Sequence, residues 1–115
     1  MLKQRIGVND MSGLTKLWID DIRPIPPNLL ETGEWQCSRT AWEALTKLDL
    51  INFEEVSLDH DLASFIGNKE ITGNDILVWL IQRKMDGKYV PPVIRIHSAN
   101  PVGVQNMESL IKRYL

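Results

Sequence analysis

One short stretch organises this chain: Val56-Ser57-Leu58-Asp59-His60-Asp61-Leu62, in which an apolar strand runs directly into three ionisable residues. That composition does not suit a packed core and is typical of a strand that ends in a cleft. Two other β-rich runs end in the same way. Residues 14–19 stop in Asp20-Asp21-Ile22-Arg23-Pro24, and residues 93–96 stop in His97-Ser98-Ala99-Asn100-Pro101. We therefore expect three strands whose polar ends share one edge of a sheet.

Strands alternate with helices along the rest of the chain. A short strand is expected at 34–37, and a helix follows it after a Ser38 or Thr40 cap. Apolar residues at helical spacing predict two more helices, one at about 73–85 and one that begins at Pro101. Residues 63–71 are expected to form a loop. This alternation implies a parallel sheet with right-handed crossovers and with both faces covered.

The segment between the first two strands departs from this pattern. Its prolines Pro24, Pro26 and Pro27 cannot occupy a helix interior, so we expect a Pro-rich loop in place of the first crossover helix, or a helix reduced to a turn. The predicted fold is a small three-layer α/β domain over residues 13–115, preceded by a flexible arm at 1–12. Its sheet has about four strands in the order 2-1-3-4, which places a ligand crevice between the first and third strands.

Composition and charge narrow the classes of function. The 115 residues are 43% hydrophobic, enough for one domain with its own core. A net charge of -2 gives no basic field, which argues against duplex DNA as a partner but allows a small phosphate-bearing ligand. No run approaches the roughly 18 apolar residues of a membrane span and no signal-peptide pattern is present, so we expect a cytoplasmic protein with no membrane partner. The sequence does not indicate an oligomeric state.

The acidic residues at the strand ends suggest a divalent cation. Carboxylates that share a site raise one another's pKa unless a cation or a proton intervenes. Oxygen ligation by Asp20, Asp21 and Asp59 would suit Mg²⁺ or Mn²⁺, whereas participation of His60 or His97 would shift the preference toward Mn²⁺, Fe²⁺ or Zn²⁺. Alternatively, the two histidines act without metal, one as the base and the other as the acid.

The remaining polar residues at these ends are suited to phosphate. Arg23 can hold two non-bridging oxygens at once, and Ser98 and Asn100 can donate hydrogen bonds to the same group. The motifs also have plainer interpretations: Asp20-Asp21 as a solvated turn, Asp59-His60-Asp61 as a solvated strand end, His97 as a structural histidine, and Asn100-Pro101 as an ordinary helix start. The coincidence of three such ends on one sheet edge favours a functional site.

These motifs resemble a known family. Asp20-Asp21 and Asp59 are similar to the acidic residues of receiver domains, in which an acidic pair binds a divalent cation and the third-strand aspartate accepts phosphate. The chain lacks a clear fifth strand with the receiver's lysine. A closer resemblance is to the cyclic-phosphate-processing receiver domain, through residues 20–24, 58–62 and 97–101. It implies a receiver-like (flavodoxin-like) fold and activity on cyclic phosphodiester bonds of RNA ends or nucleotides.

Two functional hypotheses follow. The first is a hydrolase of phosphodiesterase type that opens cyclic phosphates in nucleotides or in RNA ends with a 2′,3′-cyclic phosphate, with His60, His97, Asp59 and Asp61 as catalytic residues. The alternative is a signalling or adaptor domain with Asp59 as phosphoacceptor, or a catalytically silent interaction module. The missing receiver lysine argues against a phosphoacceptor, and the histidines argue for hydrolysis.

Overall fold

The computed structural model describes residues 15–87 and 89–115, so the predicted arm at 1–12 lies outside the described residues. Within these ranges the chain forms six strands and four helices. In chain order they are β1 (Thr15–Ile19), α1 (Pro27–Leu30), β2 (Glu34–Ser38), α2 (Ala41–Leu50), β3 (Glu55–Leu58), β4 (Ser64–Ile66), β5 (Lys69–Ile71), α3 (Gly73–Met85), β6 (Val93–Ile96) and α4 (Pro101–Tyr114).

The main sheet has four parallel strands in the order β2-β1-β3-β6, which confirms the predicted order 2-1-3-4, with β6 as the fourth strand. Its register aligns the strand ends. The ladder also continues past each end, because the amide of Asp20 donates to Ser38, that of Asp59 to Ile19 and that of His97 to Leu58. Asp20, Asp59 and His97 therefore leave the sheet at the same level.

One face of the sheet carries the hydrophobic core. Leu17, Ile19, Val56 and Leu58 are fully buried there, because alternate residues of a strand point to the same face. They pack against apolar side chains from the three long helices, which include Ala44 and Leu48 of α2, Ile76, Leu77 and Leu80 of α3, and Met107 of α4. No helix in residues 15–87 and 89–115 has the length and apolarity needed to cross a bilayer.

The Pro-rich segment covers part of the opposite face. Trp18 Nε1 donates to the carbonyl of Arg23 at 2.8 Å, Trp35 Nε1 to that of Leu29 at 2.8 Å, and Lys16 Nζ to that of Thr32 at 3.0 Å. The segment contains only the single helical turn α1, which confirms that a Pro-rich loop replaces the first crossover helix. It supplies the third layer of the fold over β1 and β2.

The prediction of a loop at 63–71 is wrong. β4 and β5 form an antiparallel hairpin there, around a two-residue Gly67-Asn68 turn in which Gly67 has φ +59°. A Gly-Asn pair between short strands is a known hairpin signal, but the polar residues of these strands hide the period-two pattern. Ser64 of β4 accepts a hydrogen bond from the amide of Ala41 at 3.0 Å, which ties the hairpin to the start of α2.

Side-chain caps define where the long helices begin. Thr40 accepts from the Glu43 amide, Thr72 forms a capping box with Asp75, and Asn100 accepts from the Gly103 amide. α2 and α4 start within a few residues of the carboxyl ends of β2 and β6, and the amide of Gly73 at the start of α3 donates to the carbonyl of His60. Helix amino termini favour negative charge, so this edge of the sheet is suited to anionic groups.

Candidate functional site

An acidic cluster occupies the crevice between β1 and β3. Asp20, Asp21 and Asp59 each offer a carboxylate oxygen, and these oxygens lie within 4.8 Å of one another. Asp20 is only 2% exposed and Asp59 only 7% exposed. Solvated acidic turns do not usually bury their carboxylates to this extent, so the cluster is more than a polar strand end.

The cluster opens into a cleft of about 280 Å³. Ile22, Arg23, Asp61 and Ala99 line the cleft together with the three aspartates of the cluster. Arg23 is the one basic residue among the described residues that line this cleft. A larger groove of about 610 Å³ lies between β6 and α4, but it is lined by Ile94, Arg95, Ile96, Glu108, Ile111 and Lys112 and holds none of the predicted site residues.

Asp20 is held by hydrogen bonds on both carboxylate oxygens. Its Oδ1 accepts from the amides of Ile22 at 2.9 Å and Arg23 at 2.8 Å, and its Oδ2 lies 3.0 Å from His97 Nε2. Burial by itself would raise the pKa of Asp20, but the bonds from Arg23, Ile22 and His97 together lower the pKa below its ordinary value. Asp20 is therefore a carboxylate at neutral pH.

Asp59 has the opposite shift. Burial raises the pKa of Asp59 and the nearby Asp20 charge adds to that rise, although hydrogen bonds from the Ser98 side chain and the His60 amide oppose it. The His60 amide donates to Asp59 Oδ1 at 2.8 Å. Two neighbouring carboxylates with opposite shifts are the expected result of like charges that share a partly buried site, and a bound cation would remove the cause.

His97 is enclosed by protein groups. Its ring stacks on Trp18, with a centroid separation of 3.6 Å and an angle of 6°. Nε2 lies 3.0 Å from Asp20 Oδ2, and Nδ1 lies 2.7 Å from Ser57 Oγ. Burial lowers the pKa of His97, with Asp20 opposing that shift. Both ring nitrogens of His97 are thus used within the protein.

His60 pairs with Asp61. Its Nδ1 lies 2.8 Å from Asp61 Oδ1, and Asn100 Nδ2 lies 3.4 Å from the same oxygen. His60 is not among the residues that line the acidic cleft, whereas Asp61 is. The link between His60 and the cleft therefore runs through Asp61.

Two glycines allow this arrangement. A Cβ at Gly103, in the first turn of α4, would lie 2.5 Å from Cγ of His60. A Cβ at Gly73, at the start of α3, would overlap the carbonyl oxygen of Asp59. The Asp59-His60 pair can therefore lie against the amino ends of both helices only because these positions carry no side chain.

The structure brings the predicted residues to one edge but gives them different partners. Asn100 bonds to Asp61 and to the Gly103 amide, and Ser98 Oγ accepts from the Asn100 amide. The catalytic, phosphate-binding and metal roles assigned from the sequence stay predictions.

Sequence reasoning missed Ser57 and Arg39, whose Nη1 donates to the carbonyls of Asp20 at 3.0 Å and Arg23 at 2.7 Å. A serine between two buried apolar residues of a strand was a usable signal for Ser57.

A four-stranded parallel sheet in this order, with an acidic cluster at the ends of β1 and β3, defines a receiver-like α/β domain. The family model of the cyclic-phosphate processing receiver domain matches residues 15–113. The chain belongs to that family, as its three motifs indicated. A search of curated proteins gives no match to this chain.

Proposed function

We propose that this protein is a phosphoesterase that opens cyclic phosphodiester bonds, either in RNA ends with a 2′,3′-cyclic phosphate or in cyclic nucleotides, with the help of a divalent cation. The main support is the cluster of Asp20, Asp21 and Asp59, of which Asp20 and Asp59 are buried, and which shares one cleft with Arg23. A family named for cyclic-phosphate processing supports the same class of reaction.

The donor set fits a hard cation. Asp20, Asp21 and Asp59 present oxygen only, and oxygen ligands are those that Mg²⁺ and Mn²⁺ take. His97 already uses both nitrogens on Asp20 and Ser57, which favours ligation without it. When bound, the cation would offset the cluster's negative charge and stabilise the charge that develops on the phosphoryl group.

Arg23 is the residue suited to bind the phosphate. It lies in the cleft beside the acidic cluster, and its backbone is fixed on both sides, because its amide donates to Asp20 and its carbonyl accepts from Trp18 and Arg39. A guanidinium can form two parallel hydrogen bonds to non-bridging oxygens. Asn100, whose Nδ2 lies 3.4 Å from Asp61 Oδ1, would instead hold that carboxylate in place, and Ser98 Oγ accepts from the Asn100 amide.

Ring opening needs two proton transfers. A water oxygen attacks phosphorus and loses a proton, the bond from phosphorus to one ring oxygen breaks, and the leaving oxygen gains a proton to give a phosphomonoester or a linear phosphodiester. The pair of His60 and Asp61 suits this work. Donation from His60 Nδ1–H to Asp61, which lines the cleft, would let the pair pass protons to and from the cleft through the Asp61 carboxylate. His97 would then act on Asp20 and not on the substrate.

A direct assay tests the proposal. The protein is incubated with Mg²⁺ or Mn²⁺ and with three substrates: cyclic mononucleotides, cyclic dinucleotides and an RNA oligomer that ends in a 2′,3′-cyclic phosphate. We expect opening of at least one substrate class, its loss with a chelator, and a decrease of about 10²-fold in turnover for His60→Ala. Asp86→Asn, at the far end of α3, is the matched control and should behave as wild type. Intact substrates under all conditions would refute the proposal.

The receiver-type alternative is supported by the position of Asp59 at the end of β3 beside Asp20 and Asp21. It predicts an acyl phosphate on Asp59 after incubation with a small phosphodonor and Mg²⁺. That product should form equally well in His60→Ala, because a phosphoacceptor does not need this histidine. Its detection, without opening of any cyclic substrate, would replace the hydrolytic proposal with the signalling one.

A further inference from the structure

A hydrogen-bonded series of three side chains lies on the face of the sheet opposite the core and ends at Asp20 of the acidic cluster. Ser57 Oγ lies 2.7 Å from His97 Nδ1, and His97 Nε2 lies 3.0 Å from Asp20 Oδ2. Ser57 is only 4% exposed, so its hydroxyl is inaccessible to a substrate despite a Ser-His-Asp order that resembles a nucleophilic triad. The hydroxyl must serve another purpose.

The donor and acceptor groups determine which atom carries the hydrogen in each of these two hydrogen bonds. The carboxylate of Asp20 can only accept, so Nε2 of His97 carries the hydrogen that faces it. In a neutral ring with that tautomer, Nδ1 is an acceptor, and the hydroxyl of Ser57 is the donor that it meets. The protein groups thus select one tautomer and one orientation of His97.

Packing prevents the ring from turning. Trp18, in register with Ser57 across β1 and β3, stacks on His97 at 3.6 Å. Trp18 is itself 2% exposed and donates through Nε1 to the carbonyl of Arg23. A flipped His97 would lose the bond from Ser57 and the bond to Asp20 together.

We infer that Ser57 is a positioning residue that holds His97 as the Nε2–H tautomer, so that His97 fixes the carboxylate of Asp20 for its role in the acidic cluster. The consequence for cation binding rests on the proposed function, whereas the tautomer of His97 does not. Groups that orient a metal-binding carboxylate change metal affinity when they are removed, by about 10-fold or more.

Long-range ¹H–¹⁵N NMR spectra of the metal-free protein at neutral pH test the tautomer directly. We expect wild-type His97 to show a protonated Nε2 and a hydrogen-bonded, unprotonated Nδ1. Ser57→Ala should shift the Nδ1 resonance toward that of an imidazole nitrogen without a donor, and Ser57→Thr, which keeps the hydroxyl, should restore it. A protonated Nδ1 facing an unprotonated Nε2 in wild type would overturn the inference whether or not any variant folds.

Mn²⁺ titration gives the second measurement. We expect Ser57→Ala to weaken Mn²⁺ binding by about 10-fold and Ser57→Thr to recover most of the loss. Ser38→Ala is the matched control, because Ser38 is a buried serine of the same sheet whose hydroxyl has no hydrogen-bond partner among the described residues. Unchanged Nδ1 resonance and Mn²⁺ affinity in Ser57→Ala would refute the positioning role. A wild type that shows the expected tautomer but binds no Mn²⁺ would refute the cation site and leave the orientation of His97 established.

Discussion

Replacing Asp59 by asparagine should stabilise the metal-free protein. The carboxylate oxygens of Asp20 and Asp59 lie no more than 4.8 Å apart. At that distance, two unit charges repel by about 1 kcal/mol in water and by about 3 kcal/mol at the effective dielectric constant of a partly buried site. Asparagine keeps the shape and the Oδ1 acceptor for the His60 amide. We therefore expect a gain in the free energy of unfolding of about 1 to 3 kcal/mol at neutral pH, or at least about 4 °C in Tm.

The pH dependence of this gain follows from the raised pKa of Asp59. A carboxyl group whose pKa is raised in the folded state lowers stability once the pH climbs from its ordinary value of 3.8 through the folded value. The advantage of Asp59→Asn should therefore disappear at a pH below 3.8 and reach its full size at neutral pH. Thermal melts in chelator across this range measure it, with Asp86→Asn as the control.

Adding Mn²⁺ or Mg²⁺ should reverse the order of stability. A cation that binds only the folded wild type adds about 4.1 kcal/mol at 1,000 times its Kd, which exceeds the gain of about 1 to 3 kcal/mol from Asp59→Asn, and the variant should lose that increment. Two results would refute this reasoning. One is a variant less stable than wild type in chelator at neutral pH, which would mean that repulsion is not significant. The other is an unchanged cation increment, which would remove Asp59 from the ligand set.

Three other variants test separate parts of the site. Arg23→Ala should raise KM far more than it lowers kcat, because a guanidinium contacts phosphate that is anionic in the ground state and the transition state alike. Steady-state kinetics with a substrate that the wild type opens would measure this effect. An equal fall in kcat and kcat/KM would contradict it. Gly103→Ala should displace the His60 ring, because the new Cβ would lie 2.5 Å from Cγ of His60. Turnover should therefore fall toward that of His60→Ala, while the midpoint of a Mn²⁺ binding titration should stay the same. His97 has a lowered pKa, so wild type should lose stability as the pH falls below the ordinary value of 6.5, and His97→Gln should flatten that part of the Tm profile. Parallel profiles for the two proteins would show that protonation of His97 does not contribute.

Structural features that depend only on residues close together in the sequence could be predicted from the sequence. Runs of strand-forming residues predicted the four strands of the main sheet. Thr40, one of two predicted caps, and Asn100 marked helix starts through hydrogen bonds that reach only three residues along the chain. The strand order followed from alternation and crossover handedness. The hairpin at 63–71 was missed because its strands are short and polar. Their composition does not indicate strands, and they are recognised only from their pairing in the structure.

The sequence by itself determined which residues reach the carboxyl edge of the sheet, because a strand end is a local feature and parallel strands bring their ends together. Only the tertiary structure decided what each side chain contacts there. His97 and Asp20 are 77 residues apart, and His97 and Ser57 are 40 apart, so no local pattern could pair them. The two histidines, equivalent as candidates in the sequence, differ in the structure for that reason. His97 is enclosed by Trp18, Ser57 and Asp20, whereas His60 lies against Gly103 and pairs with Asp61. Packing between distant segments, and not residue type, gives the two histidines these different partners.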